Sequence, residues 1–292
     1  MEFKLNEDQQ MIHDLAKDFA ESVLQPRIDE IEAGEMTEVS NGQKHPQLPH
    51  DIHQQLAECG FIGISFPEEY NGMGMGHVEQ AIVIKELSRV SPSVGKCLDV
   101  YILGLEALDL YANHEQKMKY LAPCCSGEQT VSFAFTEPET GSDPKMLKTR
   151  LEKQADGTYK LSGQKTWVTM GEKLPYTIVV AKDEDPSHDN GNMSLWFVKM
   201  DTPGVSTAPL HKIGQQCIPF CEVYFDDVVV TEEQRMGKPG EGFMMLMKNF
   251  EVERSYIVAE QVGLAQAALE DAAKYANQRI AFGKPITRLQ MI

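Results

Sequence analysis

The segment FAFTEPETGSD, at residues 133–143, brings together side chains that could bind a ligand. Apolar residues at alternate positions, the period of a strand, lead directly into a Thr-Glu-Pro turn that is followed by Gly-Ser-Asp. Such a turn directs hydroxyl groups and free backbone N–H groups toward one point, which suits a polar or phosphate ligand. An ordinary exit from a strand into a loop has the same pattern, so the segment alone leaves both interpretations open.

Other candidate motifs do not match the patterns that bind nucleotides or metals. GMGMG at residues 72–76 lacks the spacing of the G-x-G-x-x-G dinucleotide fingerprint, and GTYKLSGQKT at residues 157–166 lacks the spacing of a P-loop. His50 and His53 are better explained by a solvated helix start than by a metal site. The six cysteines include no C-x-x-C pair and no zinc-finger spacing, which predicts reduced thiols. No metal is expected.

Composition and charge exclude several classes of partner. A chain of 292 residues that is 42% hydrophobic can bury a sizeable core. The 27 basic residues against 44 acidic ones give a net charge of −17, which repels phosphate backbones and anionic lipids. The sequence also has no long uncharged apolar run and no basic, then apolar, signal sequence at its start. We therefore expect a cytoplasmic protein, or an organellar one whose transit peptide is absent, with neither a nucleic acid nor a membrane partner.

Helical periodicity dominates the first 125 or so residues. Asn6 is an expected N-cap, and Gln9 three positions later completes a capping box before an apolar face at helical spacing. A polar stretch with Gly and Pro over residues 34–49 predicts a loop, and its last residue, Pro49, suits the first turn of a further helix. Helical periodicity returns over residues 78–87 and 98–108.

The period then changes to that of strands and later back to that of a helix. The predicted strands cover residues 131–135, 158–161, 166–170, 177–181, 195–198 and 222–228. Their connections are mostly too short for crossover helices, which favours an antiparallel sheet or barrel. The predicted fold class is α+β, with an all-helical domain at residues 1–128, a middle antiparallel β-barrel or sheet domain at 129–238, and the first part of an incomplete C-terminal helical bundle at 239–292.

Several segments resemble motifs of the acyl-CoA dehydrogenase family. The family signature T-E-P-x-A-G-S-D is similar to TEPETGSD at residues 136–143, and the family strand W-[IV]-T is similar to Trp167, Val168 and Thr169. Further family motifs are matched by GFIGISFPEEYNG at 60–72, FDDV at 225–228, GEGF at 240–243 and YANQRIAFGKPI at 275–286. Thr140 replaces the usual Ala and Pro144 stiffens the loop, and neither change is expected to disturb flavin binding.

This resemblance implies FAD as the cofactor. The residues that it assigns to FAD are Phe133, Phe135, Thr136, Gly141, Ser142, Trp167, Val168, Thr169, Arg279, Phe282 and Gln290. Trp167 would lie against one flavin face, and the hydroxyl of Thr169 would bond flavin N5. The last three residues of the set would reach the FAD of a neighbouring subunit.

The resemblance also implies how the substrate is held. Ser142 would meet the pantetheine arm of an acyl-CoA or enoyl-CoA, and Glu251 and Arg254 would make further substrate contacts. Because Glu251 and Arg254 lie three residues apart on a predicted helix, a surface ion pair is the alternative explanation for them.

Glu253 is the candidate catalytic base. It lies three residues after Phe250 and four before Ile257, on or beside the apolar stripe of the last helix, where desolvation would raise the pKa of a carboxyl group. Family members similar to isovaleryl-CoA dehydrogenases take their base from this position. Most members take it from a Glu that would lie beyond Ile292, so both origins remain open.

The activity implied by the resemblance is α,β-dehydrogenation of an acyl-CoA to a trans-2-enoyl-CoA, or the reverse reduction, with electrons exchanged with electron-transfer flavoprotein. The chain also has some likeness to bacterial crotonobetainyl-CoA reductases. An acyl-CoA oxidase and a non-catalytic interaction module are the alternatives. A homotetramer is implied for the complete protein. Because TRLQMI ends the sequence inside an amphipathic helical pattern, we expect a C-terminally truncated chain that is aggregation-prone or weakly flavinated when expressed alone.

Overall fold

Eight helices account for most of the described N-terminal and C-terminal regions. The structure is a computed structural model that describes residues 4–38, 44–172, 174–183 and 193–290. The helices are α1 (Glu7–Phe19), α2 (Ile28–Ala33), α3 (His50–Glu58), α4 (His77–Val90), α5 (Pro92–Tyr111), α6 (His114–Gln116), α7 (Ala122–Cys125) and α8 (Gly242–Gln278). None of the helices in these ranges has the length and apolarity needed to cross a bilayer.

The first helix begins as its sequence predicts. The Asn6 side chain accepts from the Gln9 N–H at 2.8 Å, and the Gln9 side chain accepts from the Asn6 N–H at 3.1 Å. The prediction of a loop over residues 34–49 is wrong in part, because β1 (Glu35–Glu38) and β2 (Lys44–Gln47) form an antiparallel hairpin there. Gly34 makes the entry possible: its φ is +74°, and a Cβ would stand 2.8 Å from the Pro46 Cβ.

The middle region is one sheet of eight strands. They are β3 (Val131–Ala134), β4 (Arg150–Lys153), β5 (Tyr159–Thr169), β6 (Tyr176–Asp183), β7 (Met193–Lys199), β8 (Val205–Leu210), β9 (Phe220–Val230) and β10 (Arg235–Met236). Their order is β10-β7-β6-β4-β5-β9-β8, and β3 pairs with β6 beside β4. The predicted strands at residues 158–161 and 166–170 are the two ends of β5, which register shifts divide.

The sheet is mainly antiparallel, as predicted, but it contains two parallel pairings that the sequence did not predict. Strand β3 runs parallel to β6, with Val131 opposite Tyr176, and β4 also pairs with β6 in parallel. The connection from β3 to β6 is made by β4 and β5, which pair antiparallel with each other, so a parallel pair forms without a crossover helix. Within the ranges that the structure describes, the strand order does not close into a barrel.

Helix α8 packs against both α4 and α5. It approaches α4 closely at Gly263, where a Cβ would stand 2.2 Å from the carbonyl oxygen of Lys85. Helix α5 in turn lies under the sheet, because a Cβ on Gly104 would stand 2.5 Å from Val131 Cγ1. The larger of two hydrophobic clusters therefore joins the helices to one face of the sheet, and the smaller lies within the sheet region.

The predicted continuation of helix through TRLQMI is wrong for the part that is described. Helix α8 ends at Gln278, and a short hairpin of β11 (Ile280–Ala281) and β12 (Lys284–Pro285) follows. Phe282 and Gly283 turn this hairpin at φ values of +53° and +75°, which a helix cannot contain. A single 3-10 turn, Ile286–Arg288, comes next, and residues 291–292 lie outside the described ranges.

Candidate functional site

Phe133 of β3 and Phe135, which directly follows that strand, meet Phe250 of helix α8. The ring of Phe250 lies 5.6 Å from that of Phe135 in an edge-to-face arrangement and 6.3 Å from that of Phe133. Both of these phenylalanine side chains are half-buried. Phe133 and Phe135, which alternate along the chain, therefore form an aromatic surface that α8 partly covers through Phe250.

A buried ion pair, which the sequence analysis did not identify, fixes the start of the signature turn. Glu137 Oε1 accepts from Lys165 Nζ at 2.9 Å and from the Thr149 N–H at 2.9 Å, and its Oε2 accepts from the Lys148 N–H at 2.6 Å. Lys165 Nζ also donates to the Phe135 carbonyl at 2.9 Å. Burial alone would raise the pKa of Glu137, but Lys165 and these donors hold it below its usual value. Glu137 thus anchors the turn rather than facing a ligand.

The rest of the turn presents backbone donors to solvent. Glu137 and Thr140 exchange both of their backbone hydrogen bonds, and the Thr140 hydroxyl donates to the Asp143 carbonyl at 2.6 Å. Within the described ranges, no protein oxygen accepts from the N–H of Gly141 or Ser142, and Ser142 is exposed. A Cβ on Gly141 would stand 3.4 Å from Thr136 Cγ2, in ordinary contact, so the chain itself does not require glycine there. These features fit a turn that holds an anionic group.

The predicted flavin strand lies beside this turn. The Thr166 N–H donates to the Thr136 carbonyl at 2.8 Å, which places the end of β5 next to the end of β3. Trp167 has a φ of +58° and its side chain is 56% exposed, whereas Val168 is buried and Thr169 is half-buried. The indole contacts the ring of Phe220 edge-to-face, with centroids 6.5 Å apart, and its exposed part suits contact with a planar ligand.

Glu253 lies one turn beyond Phe250 on α8 and is half-buried. Burial raises the pKa of its carboxyl group and the buried carboxylate of Asp99 raises it further, while the charges of Lys96 and Arg254 act in the opposite direction. A carboxyl group whose pKa is raised in this way is a stronger base than one that is fully solvated.

The two residues predicted to contact substrate flank Glu253 but face solvent. Glu251 and Arg254 are both exposed, and the ion pair offered as their alternative explanation is not formed in the described part of the chain. Neither side chain is therefore held in place by the other.

Three predicted flavin residues lie far from this site. Arg279, Phe282 and Gln290 are exposed, Phe282 to 91%. Arg279 follows Glu253 by 26 positions, which at 1.5 Å per residue separates them by about 39 Å along α8. The structure does not bring this group to the flavin strand of the same chain.

The residues near β3 and β5 fit FAD. The open indole of Trp167 suits the isoalloxazine, and the unpaired N–H groups of Gly141 and Ser142 suit its phosphates. The helical region, mixed sheet and long helix, with this turn between them, define a flavoprotein of the acyl-CoA dehydrogenase class.

Comparisons with known proteins give the family. Sequence models of the N-terminal, middle and C-terminal domains of acyl-CoA dehydrogenase match residues 6–128, 132–228 and 240–292. The chain belongs to the acyl-CoA dehydrogenase family, which confirms the resemblance, and FAD is the family's cofactor.

Two curated relatives illustrate the range of the family. The chain is 36% identical over 84% of its length to a probable acyl-CoA dehydrogenase, YdiO, of Escherichia coli K12, and spans 63% of that protein. It is 34% identical over 98% of its length to a 3-(aryl)acrylate reductase of Clostridium sporogenes, of which it spans 73%.

Solved structures show the same fold. The butyryl-CoA dehydrogenase of Megasphaera elsdenii matches 99% of the chain with a TM-score of 0.89 at 30% identity, over 74% of its own length. An acyl-CoA dehydrogenase from Bacillus anthracis in complex with FAD matches 98% of the chain with a TM-score of 0.85 at 29% identity, over 47% of its own length.

Proposed function

We propose that the protein is an FAD-dependent oxidoreductase that removes two hydrogens from the α and β carbons of an acyl-CoA, giving a trans-2-enoyl-CoA, or adds them in reverse. The observation that carries the proposal is a half-buried carboxyl group, Glu253, one turn from the aromatic surface at the end of β3. Relatives with dehydrogenase and reductase names both match, so the proposal covers both directions.

Glu253 is the proposed base. An α-proton of a thioester is too weakly acidic to leave in bulk water, so the carboxylate must be close and shielded from solvent. The burial that raises the pKa of Glu253 also makes it a stronger base toward such a proton. In the oxidative direction it would take the α-proton, and in the reductive direction it would return it.

The remaining residues would hold the reacting groups. Trp167 would support the flavin ring, Thr169 would donate a hydrogen bond at N5, and Gly141 and Ser142 would bind phosphate and the pantetheine arm. FAD, when bound, exchanges a hydride with the β-carbon. Glu251 and Arg254, exposed beside Glu253, would contact the substrate from the solvent side.

The three exposed residues near the far end of α8 would act in a neighbouring subunit. Since Arg279, Phe282 and Gln290 are exposed and lie far along α8, we propose that they contact the FAD of a neighbouring chain in a homotetramer. Electron-transfer flavoprotein is the proposed electron partner, and a solved structure from work on the electron transferring flavoprotein of Acidaminococcus fermentans matches the fold with a TM-score of 0.90 at 32% identity.

Turnover of a Glu253→Gln variant tests the proposal. It should lower kcat by roughly 10²- to 10⁴-fold, the usual contribution of a general base, while flavin content stays unchanged. Asp271→Asn is the matched control, because Asp271 is exposed on the same helix. A Glu253→Gln variant with full activity would show that another residue is the base.

A further inference from the structure

A group of charged side chains lies between α5 and α8 beside the proposed base. The Asn249 amide donates to the Leu103 carbonyl at 3.3 Å, which fixes how the two helices face each other. Asp99 lies four residues before Leu103 and Glu253 four residues after Asn249, each one helical turn further along the same face. The two helices run antiparallel here, since the Tyr111 hydroxyl near the end of α5 donates to the Met245 carbonyl near the start of α8 at 3.0 Å. Asp99 and Glu253 therefore lie near each other across the interface, and the charge of Asp99 acts on Glu253.

Lys96 pairs with one carboxyl group at this interface, and its charge acts on two more. Lys96 Nζ lies 2.6 Å from Asp99 Oδ2. Glu253 and Glu260, two turns apart on α8, both feel the charges of Lys96 and Asp99, and Glu260 is 5% exposed. The three carboxyl groups outnumber the two basic groups that act on them, Lys96 and Arg254, so the local charge is negative when all are ionised.

Two buried acceptors in the same interface have no donor. Asp99 is 1% exposed, and within the described ranges its Oδ1 has no hydrogen-bond partner. The same holds for Oδ1 of Asn249, which is fully buried. Buried acceptors are nearly always satisfied in folded proteins, so the interface lacks a donor that a bound molecule could supply.

We propose that this interface binds the acyl chain of the substrate and selects chains that carry an ammonium or other hydrogen-bond-donating group over plain alkyl chains. The proposal rests on the function proposed above, because it takes the acyl group to lie beside Glu253. An ammonium group supplies both missing elements, a donor for Asp99 Oδ1 and a positive charge among the carboxylates. A substrate carboxylate would add a fourth negative charge and leave the acceptors unpaired.

Binding of matched acyl-CoA thioesters tests this inference. Dissociation constants would be measured by calorimetry on the flavin-loaded protein for hexanoyl-CoA, 6-aminohexanoyl-CoA, 6-hydroxyhexanoyl-CoA and adipoyl-CoA, and for the four-carbon counterparts. The aminoacyl compound of one of the two lengths should bind at least roughly tenfold more tightly than its alkyl analogue, and the dicarboxylic compounds most weakly.

Two variants connect the preference to the interface. Asp99→Leu should bring the ratio of the dissociation constants of the alkyl-CoA and the aminoacyl-CoA close to one. If this single variant does not fold, the double variant Lys96→Met with Asp99→Leu, which removes both charges, takes its place. Asp271→Asn should keep the wild-type ratio.

The outcomes separate this inference from the proposed function. Equal or tighter binding of the alkyl or dicarboxylic thioesters, with bleaching of the flavin by those compounds, would overturn the inference and leave the proposed function standing. If none of the thioesters binds or bleaches the flavin, the proposed function is wrong, and this inference with it.

Discussion

Replacement of Lys165 by Met is a stringent test of how the signature turn is held. Lys165 is fully buried, and its ammonium group bonds both the Glu137 carboxylate and the Phe135 carbonyl at 2.9 Å. Without it, Glu137, which is 5% exposed, keeps only two backbone N–H donors for a buried negative charge.

The expected loss in the free energy of unfolding follows from that uncompensated charge. Removing one partner of a buried ion pair destabilises a protein by about 3–5 kcal/mol. At roughly 2–4 °C per kcal/mol for a chain of this size class, the Tm should fall by roughly 6–20 °C. The double variant Glu137→Gln with Lys165→Met removes both charges, so it should be more stable than Lys165→Met alone.

The pH dependence gives an independent check with a defined sign. The pKa of Glu137 in the folded protein lies below its usual value. Glu137 therefore binds fewer protons in the folded state than in the unfolded state, and it contributes stability above about pH 4.3, its ordinary pKa. That contribution is lost as the pH falls through the folded pKa, so Glu137→Gln should be less acid-sensitive than the wild type.

Thermal and urea unfolding of the wild type and the three variants, from pH 3 to pH 7, measures these effects. A loss below about 1 kcal/mol for Lys165→Met, within the range of an exposed pair, would refute the reasoning. So would a double variant that is less stable than both single variants.

Two further predictions concern the flavin turn and the base. Gly141→Ala should unfold at the wild-type temperature but bind FAD at least roughly tenfold more weakly, because its Cβ would occupy ligand space. Flavin fluorescence measures this affinity. Gly214→Ala is the control and should bind FAD normally, because nothing lies within 4 Å of its Cβ. Lys96→Met should move the acid limb of the kcat/KM profile to higher pH, since Lys96 lowers the pKa of Glu253, and Asp99→Asn should move it to lower pH. Shifts in the opposite directions would show that Lys96 and Asp99 do not set the pKa of Glu253 as proposed.

The sequence predicted the parts of the fold that depend on local pattern. The capping box at Asn6 and the strand at residues 131–134 follow from spacing alone, and both are present. The hairpin after Gly34 was missed because Gly and Pro also mark loops, and only the pairing across residues 35–47 distinguishes the two.

Pairing between distant segments could not be predicted. The parallel contact of β3 with β6 depends on how the β4 and β5 pair folds between them, and periodicity carries no information about it. The same is true of Glu137, whose partner Lys165 lies 28 residues away on β5. Trp167 and Glu253 could be singled out because a family motif and an apolar stripe identify them, but the Lys96 and Asp99 pair beside Glu253 required the helix packing.

The most direct test of the proposed reaction is the visible absorption of the bound flavin during anaerobic titration with an acyl-CoA. We expect the wild type to be bleached as the substrate transfers its hydride. Glu253→Gln should bind the same thioester and keep its colour, because the α-proton cannot leave. Equal bleaching of the two proteins would contradict the role of Glu253, and an unbleached wild type that binds FAD and the thioester would contradict the proposed dehydrogenation.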